Sequence, residues 1–370
     1  MIEPRANLKD LFRYPILQEG RYGKLRLDKN ENTIGFPQEV INDILSGISP
    51  DFLAAYPEPY SLYLKIAKQH EVDLESIALT AGSEMAIRYL FEAFLTSDDE
   101  ILILSPSFAM FDVYARIIGA KIRTVEYDQN FYVSCESVVE QITPKTKIVA
   151  IANPNNPTGT IFSQGDLVEI LDEAAGNGAI VLLDEAYYYF CRETMLPQCA
   201  DFPNLVITRT FSKACGIAGV RLGYAVGNPS LISQVTKLQP IDHVSNFAVK
   251  IGEYILDHED LIWNYVAEAE KGKNFLLSEM TKLGIRCCSS HANFVLADFG
   301  NHQDELVSKL CDRNILVNAS LRLPFPSGYV RVTAGPVSQM QQFIEALKAA
   351  LSTCSDVPSY LYNAVVSRGR

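Results

Sequence analysis

Apolar residues in this chain come in short continuous runs separated by stretches of helical spacing. The runs Ile77-Ala78-Leu79-Thr80, Ile101-Leu102-Ile103-Leu104, Ile148-Val149-Ala150-Ile151-Ala152, Ala179-Ile180-Val181-Leu182-Leu183, Leu205-Val206-Ile207 and Tyr224-Ala225-Val226 do not alternate with polar residues. Continuous runs of this length suit strands covered on both faces. Between them, Ala86, Ile87, Leu90, Phe91 and Phe94 fall on one helical face, and residues 108–115 and 163–175 also read as helices. Strands alternating with helices across about 75–230 predict an α/β domain with a mainly parallel central sheet flanked by helices.

Past Phe247 the pattern changes. One long helix is predicted through Trp263, Tyr265, Phe275 and Leu283, followed by strands at 294–297 and 329–333 with a helix near 304–314 between them. A closing helix over 338–352 completes a smaller α+β domain. Before the first domain, Pro4, Pro15 and Pro37, a short extended piece at 24–27 and the polar loop Asp28-Lys29-Asn30-Glu31-Asn32 read as an arm. The expected division is an N-terminal arm over 1–40, a large domain over 41–245, a small C-terminal domain over 246–355 and a frayed tail over 356–370.

Parallel sheets bind ligands at the carboxyl ends of their strands, and the chemically distinctive residues follow those ends. After the first strand, Ala81-Gly82-Ser83-Glu84 opens a helix. Its first-turn N–H groups form either a phosphate cradle, with Gly82 allowing close approach, or an ordinary serine-capped turn. Phe108 stands past the next strand, where its face could stack on a flat ligand or pack in the core. Asn153-Pro154-Asn155-Asn156-Pro157-Thr158-Gly159 is a rigid turn after the third. Asp184 closes a fully apolar strand and needs a cation, a donor or a capping role there. In Thr210-Phe211-Ser212-Lys213, the lysine sits after another strand with Arg221 shortly behind; partial burial there would make its amine less basic and more nucleophilic.

Composition narrows the ligands. The chain has 370 residues, 48% of them hydrophobic, enough for a large core, and its net charge of −12 argues against a nucleic-acid partner. Nothing approaches the length of a membrane span, and the N-terminus lacks a secretory pattern, so a cytoplasmic protein is expected. The eight cysteines and five histidines show no metal-ligand spacing. No metal is expected.

A lysine for an imine, a phosphate cradle at Gly82, Ser83 and Glu84 with Thr210 and Arg221, an aromatic face at Phe108 and a carboxylate at Asp184 together match pyridoxal 5'-phosphate. At this point the sequence resembles the class I/II aminotransferases of pyridoxal-phosphate fold type I, closest to the histidinol-phosphate aminotransferase group. Asn153 to Gly159, Asp184-Glu185-Ala186-Tyr187, Thr210 to Lys213 and Arg221 occur in that family's order and spacing. The resemblance implies Lys213 as Schiff-base lysine and proton shuttle, Asp184 at the pyridine nitrogen, and Asn156 and Tyr187 at the ring 3-oxygen. Gly82, Ser83, Glu84, Thr210, Ser212 and Arg221 are implied around the phosphate. Tyr56, in its Tyr-Pro context, resembles a tyrosine that reaches the partner subunit's cofactor, implying a homodimer with shared active sites. Arg331 resembles the arginine that grips the substrate α-carboxylate, and Arg322 and Asn32 join it as substrate-side candidates.

One position departs from the group. Thirteen residues before the carboxylate arginine the group usually carries a second arginine for the substrate phosphate, and here Asn318 stands there. Arg322 replaces it if the loop 321–327 folds inward, and is otherwise a solvated arginine. The implied activity is transfer of an amino group from a donor, expected to be glutamate, to a keto or aldehyde acceptor. Amino-acid-phosphate decarboxylation of the threonine-phosphate decarboxylase type and aromatic amino acid transamination share these motifs. A non-catalytic cofactor-binding regulator would lack the lysine or carry a DNA-binding domain, and neither is seen.

Overall fold

The computed structural model describes residues 3–9, 11, 20–321, 323 and 328–354. Arg322 and the expected tail over 356–370 lie outside the described residues. The strands are β1 (Leu25–Leu27), β2 (Ile77–Thr80), β3 (Glu100–Ser105), β4 (Lys121–Glu126), β5 (Thr146–Ala152), β6 (Ile180–Asp184), β7 (Leu205–Thr210), β8 (Gly223–Gly227), β9 (Cys287–Cys288), β10 (Phe294–Asp298), β11 (Ile315–Val317) and β12 (Tyr329–Thr333). Seven of them form one sheet in the order β2-β8-β7-β6-β5-β3-β4. Pairings from β4 through β7 are parallel, and β8 runs antiparallel to both β7 and β2.

Strand alternation divides the large-domain core in two. Val149, Ile151, Val181, Leu183, Leu205 and Ile207 join one hydrophobic cluster, whereas Ile148, Ala150, Ile180, Leu182 and Val206 join the cluster on the other face. This two-sided burial is why the central strands read as unbroken apolar runs. The edge strand β4 is half exposed and mostly polar, so it carries no such run.

The stretch after Phe247 is two helices rather than one. Asn246–Asp257 and Glu259–Lys282 meet at His258, whose φ of −127° and ψ of 55° break the helical path. Ala248, Val249 and Ile255 of the first pack in the same cluster as Leu62 and Ile66, within the large core. The cores divide inside the second helix, whose Ile262 and Val266 belong to the large cluster and whose Leu276 and Met280 belong to the small one. That division lies beyond the expected boundary at 245/246.

The small domain is an antiparallel sheet ordered β12-β10-β9 with helices Gln303–Asp312 and Val337–Leu351. Part of the expected arm belongs with it: β1 pairs in parallel with β11, and Leu27 is fully buried in the small-domain cluster. Burying that side chain is worth about 1.5–3 kcal/mol. It fixes the start of the loop Asp28 to Asn32, which then crosses toward the large sheet. No described helix is long and apolar enough to cross a membrane.

Candidate active site

The carboxyl ends of β2, β5, β6 and β7 converge on a cavity of about 170 Å³. At one end of it Gly82 occupies the helix N-cap with φ 85°, and Ser83 is already the first residue of the helix Ser83–Phe94. No side chain caps this helix. The serine-capped turn is therefore excluded, and the Ser83 and Glu84 N–H groups, which have no intrahelical acceptors, are available to an anion, while the Met85 N–H donates to the Gly82 carbonyl at 3.1 Å. A Cβ at Gly82 would lie 2.7 Å from Arg221 Nη2, and one at Gly223 would lie 2.3 Å from the Ser83 nitrogen. Both positions need glycine for this turn to pack against the arginine and the start of β8. Arg221 donates to Ser212 Oγ at 3.2 Å and lies 3.9 Å from Glu84 Oε2, while Thr210 Oγ1 accepts the Ser212 N–H at 3.1 Å. Tyr114 holds the other Glu84 oxygen at 2.9 Å.

Across the cavity, Lys213 donates from Nζ to the Lys29 carbonyl at 2.8 Å. Burial, then the Arg331 charge, lower its pKa to about 8, against the opposing pull of Glu31 and Asp184. Asp184 accepts from Thr208 Oγ1 at 2.8 Å, and burial raises its pKa to about 6 despite that bond and Lys213. Period-two alternation separates it from its neighbour. Glu185 points to the opposite face, where it meets Arg209 at 2.8 Å. Phe108 lines the cavity and packs edge-on against Phe111 at 5.7 Å, so it serves the site and the core together.

Tyr187 is buried, lies edge-on to Phe294 and accepts a hydrogen bond from Asn30 Nδ2 at 2.9 Å. Asn156 also lines the cavity, and its side-chain oxygen accepts from Arg331 Nη1. Arg331 donates its other terminal nitrogen to the Asp28 carbonyl at 2.7 Å. Among the described residues no carboxylate forms an ion pair with it, its Nε has no partner, and burial lowers its pKa. A buried guanidinium in that state is a receptor for an anion.

Two expected residues lie elsewhere. Asn32 does not line this cavity; it borders a neighbouring one with Arg21 and Gly216, and its Oδ1 accepts the Ile34 and Gly35 N–H groups at 3.0 Å. Tyr56 is 79% exposed on the outer surface. Arg322 is outside the described residues. Asn318 bridges Arg331 through both backbone groups, and its side chain accepts from the Ser320 N–H at 3.0 Å. It brings no positive charge to the site.

A family model described as aminotransferase class I and II matches residues 24–347. The chain belongs to the class I and II aminotransferase family. This aminotransferase is 31% identical over 348 residues to a histidinol-phosphate aminotransferase of Clostridium novyi (strain NT), covering 93% of this chain and 96% of the relative. It is 32% identical to histidinol-phosphate aminotransferase 2 of Legionella pneumophila (strain Lens), over 88% of this chain and 89% of that one. Its fold matches the crystal structure of a histidinol-phosphate aminotransferase from Sinorhizobium meliloti in complex with pyridoxal-5'-phosphate, with TM-score 0.82, 21% identity and coverage of 90% and 92%. It also matches L-threonine-O-3-phosphate decarboxylase from Porphyromonas gingivalis, with TM-score 0.76, 23% identity and coverage of 89% and 100%. The fold is the type I architecture that the sequence resemblance implied.

Pyridoxal 5'-phosphate is the cofactor of this aminotransferase. The residues present fit it. An uncapped helix start beside Arg221 suits its phosphate, and a buried carboxylate raised to about 6 lacks the cation that a protonated ring nitrogen provides. Sequence reasoning did not single out Asn30, Thr208 or Thr333. Asn30 lies in a polar loop with no local pattern to separate it from its neighbours; its φ of 55° is a conformation asparagine tolerates better than most residues, a signal too weak to read alone.

Proposed function

We propose that this aminotransferase moves an amino group from glutamate to the keto acceptor whose aminated form is histidinol phosphate, working in the cytoplasm as a homodimer. The names of relatives 31–32% identical over about nine-tenths of the chain support the substrate. One geometric observation carries the reaction class: the consecutive carbonyls of Asp28 and Lys29 hold Arg331 and Lys213 side by side. A carboxylate gripped by Arg331 would therefore present its α-carbon to the Lys213 amine.

The bound cofactor supplies an aldehyde for amine exchange and a conjugated electron sink. Lys213 would hold it through its amine, and would take the α-proton and return it on the acceptor side, a base-and-acid task suited to an amine near pH 8. Asp184 would keep a proton on the ring nitrogen. Asn156 and Tyr187 would hold the 3-oxygen, Phe108 would offer its face to the ring, and Gly82, Ser83, Glu84, Thr210, Ser212 and Arg221 would hold the phosphate. The buried side chains of Asp184, Tyr187 and Arg331 would keep water from the reacting carbon on their side of the cavity.

Tyr56 acts across a subunit interface. Leu53, Tyr60, Ile241 and Phe247 are also exposed, and Asn246 ties the two segments together by donating to the Phe52 and Ala55 carbonyls at 2.8 Å. An apolar patch of this kind suits a second copy of the chain. Half-reactions test the proposal. Glutamate and histidinol phosphate should each bleach the yellow holoenzyme, and Lys213→Ala should abolish both changes. Carbon dioxide release from threonine phosphate without keto-acid formation would instead establish the decarboxylase reading.

A further inference from the structure

Asn30 is buried, 1% exposed, and each of its polar groups is engaged. Its N–H donates to Thr333 Oγ1 at 3.0 Å, and its Oδ1 accepts from the same hydroxyl at 3.1 Å. Its carbonyl accepts from Asn293 Nδ2 at 3.2 Å, and its Nδ2 donates to the Tyr187 phenol oxygen at 2.9 Å. Thr333 has one hydroxyl proton and gives it to Oδ1. The amide nitrogen is thereby turned toward Tyr187.

A phenol has one proton to donate. Because its oxygen already receives a hydrogen from Asn30, Tyr187 is left to direct its own O–H elsewhere, and the residue borders the cavity. Donation into the oxygen also polarises the O–H bond and strengthens it as a donor. Thr333 and Arg331 are two apart on β12 and share a face. The same asparagine therefore ties the tyrosine of the large domain to the strand that carries the anion-gripping arginine.

We infer that Asn30 is a positioning residue that aims the Tyr187 hydroxyl into the cavity as a hydrogen-bond donor and sets its acidity, linking it to the small domain through Thr333. This rests on the reading of Tyr187 as a partner of the cofactor 3-oxygen. Asn30 touches no reacting atom. It acts through the phenol alone.

The left-handed backbone restricts the useful variants to Asn30→Asp and Asn30→Gly, which both tolerate positive φ. The first is isosteric and replaces the donor by an acceptor; the second deletes the side chain. In cofactor-free protein carrying tyrosine labelled with carbon-13 at Cζ, the Tyr187 resonance is assigned by its loss in Tyr187→Phe. Without Asn30 donation its ionisation should move up by roughly half to one pH unit. In holoenzyme the pH titration of the cofactor absorbance should shift in both variants, and kcat/KM should fall about fivefold. Neither variant should change that titration further in a Tyr187→Phe background, since the residues form one chain.

An unmoved Tyr187 resonance in both variants, or additive shifts in the double mutants, would overturn the inference. If Tyr187→Phe leaves the absorbance titration unaltered, the cofactor role of Tyr187 fails, and the cofactor-free resonance still decides whether Asn30 controls the phenol. Thermal denaturation confirms that each variant is folded.

Discussion

Two arginines, Arg209 on β7 and Arg331 on β12, are both almost wholly buried, yet their surroundings are opposite. Arg209 is held by Glu185 at 2.8 and 3.1 Å, by Thr194 at 2.7 Å, and lies 3.7 Å over the Tyr188 ring. Burial alone would lower its pKa, but Glu185 overrides it and raises the pKa. Among the described residues Arg331 has only neutral acceptors, the Asp28 carbonyl and the Asn156 amide, and its pKa is lowered. Placing a guanidinium in a protein interior is costly unless a carboxylate compensates it. At Arg209 the chain itself supplies that carboxylate. At Arg331 it leaves the compensation to a ligand, and this unfilled demand separates a binding group from a structural one.

The neighbouring carboxylates repeat the contrast one residue apart. Glu185 is consumed by Arg209, whereas Asp184, on the other face, has Thr208 as its close donor and waits for a cation. The largest expected effect breaks the paired side. Glu185→Ala strands Arg209 and should cost about 3–5 kcal/mol in urea unfolding, against little change from Arg331→Met.

Next in size is a pH effect on the unpaired side. The Asp184 pKa in the folded chain is about 6, above the ordinary 3.8, so folded protein keeps a proton that unfolded protein has released. Stability of cofactor-free protein should therefore fall as pH rises between those values, by about 3 kcal/mol, and then level off. Asp184→Asn should flatten this slope, and so should saturation with cofactor. Denaturation midpoints across that range provide the check.

Arg331→Lys should reduce kcat/KM for glutamate by about a hundredfold, because an ammonium cannot make the bidentate contact, with stability unchanged or higher. Steady-state kinetics alongside thermal denaturation separates the two. The smallest effect concerns Lys213. Its neutral form is the nucleophile, so capture of pyridoxal phosphate by cofactor-free protein should accelerate about tenfold per pH unit below its pKa of about 8 and plateau above it. Stopped-flow absorbance measures this directly.

Most of the residues that line the candidate site were legible in the sequence because each follows a recognisable local signal. Gly82 and Ser83 begin a helix after an apolar run, Asp184 ends another, and Lys213 and Arg221 flank a glycine-bearing turn. The substrate side was less legible. Asn32 was expected there, but its side chain is spent on the turn at Ile34 and Gly35, while Asn30, two residues earlier, reaches Tyr187. Nothing in a polar five-residue loop says which asparagine turns inward.

The sequence by itself determined the large sheet and the strand ends on which the residues proposed for the cofactor stand. Unbroken apolar runs specify buried strands, and parallel connectivity then brings their carboxyl ends to one edge. Only the tertiary structure decided what covers that edge. β1 has three residues and pairs with β11 almost 300 positions away; a strand so short has no periodicity to read, and its register is set by Leu27 entering the small-domain core. That distant pairing places the Asp28 and Lys29 carbonyls on Arg331 and Lys213, and the Asn30 amide on Tyr187.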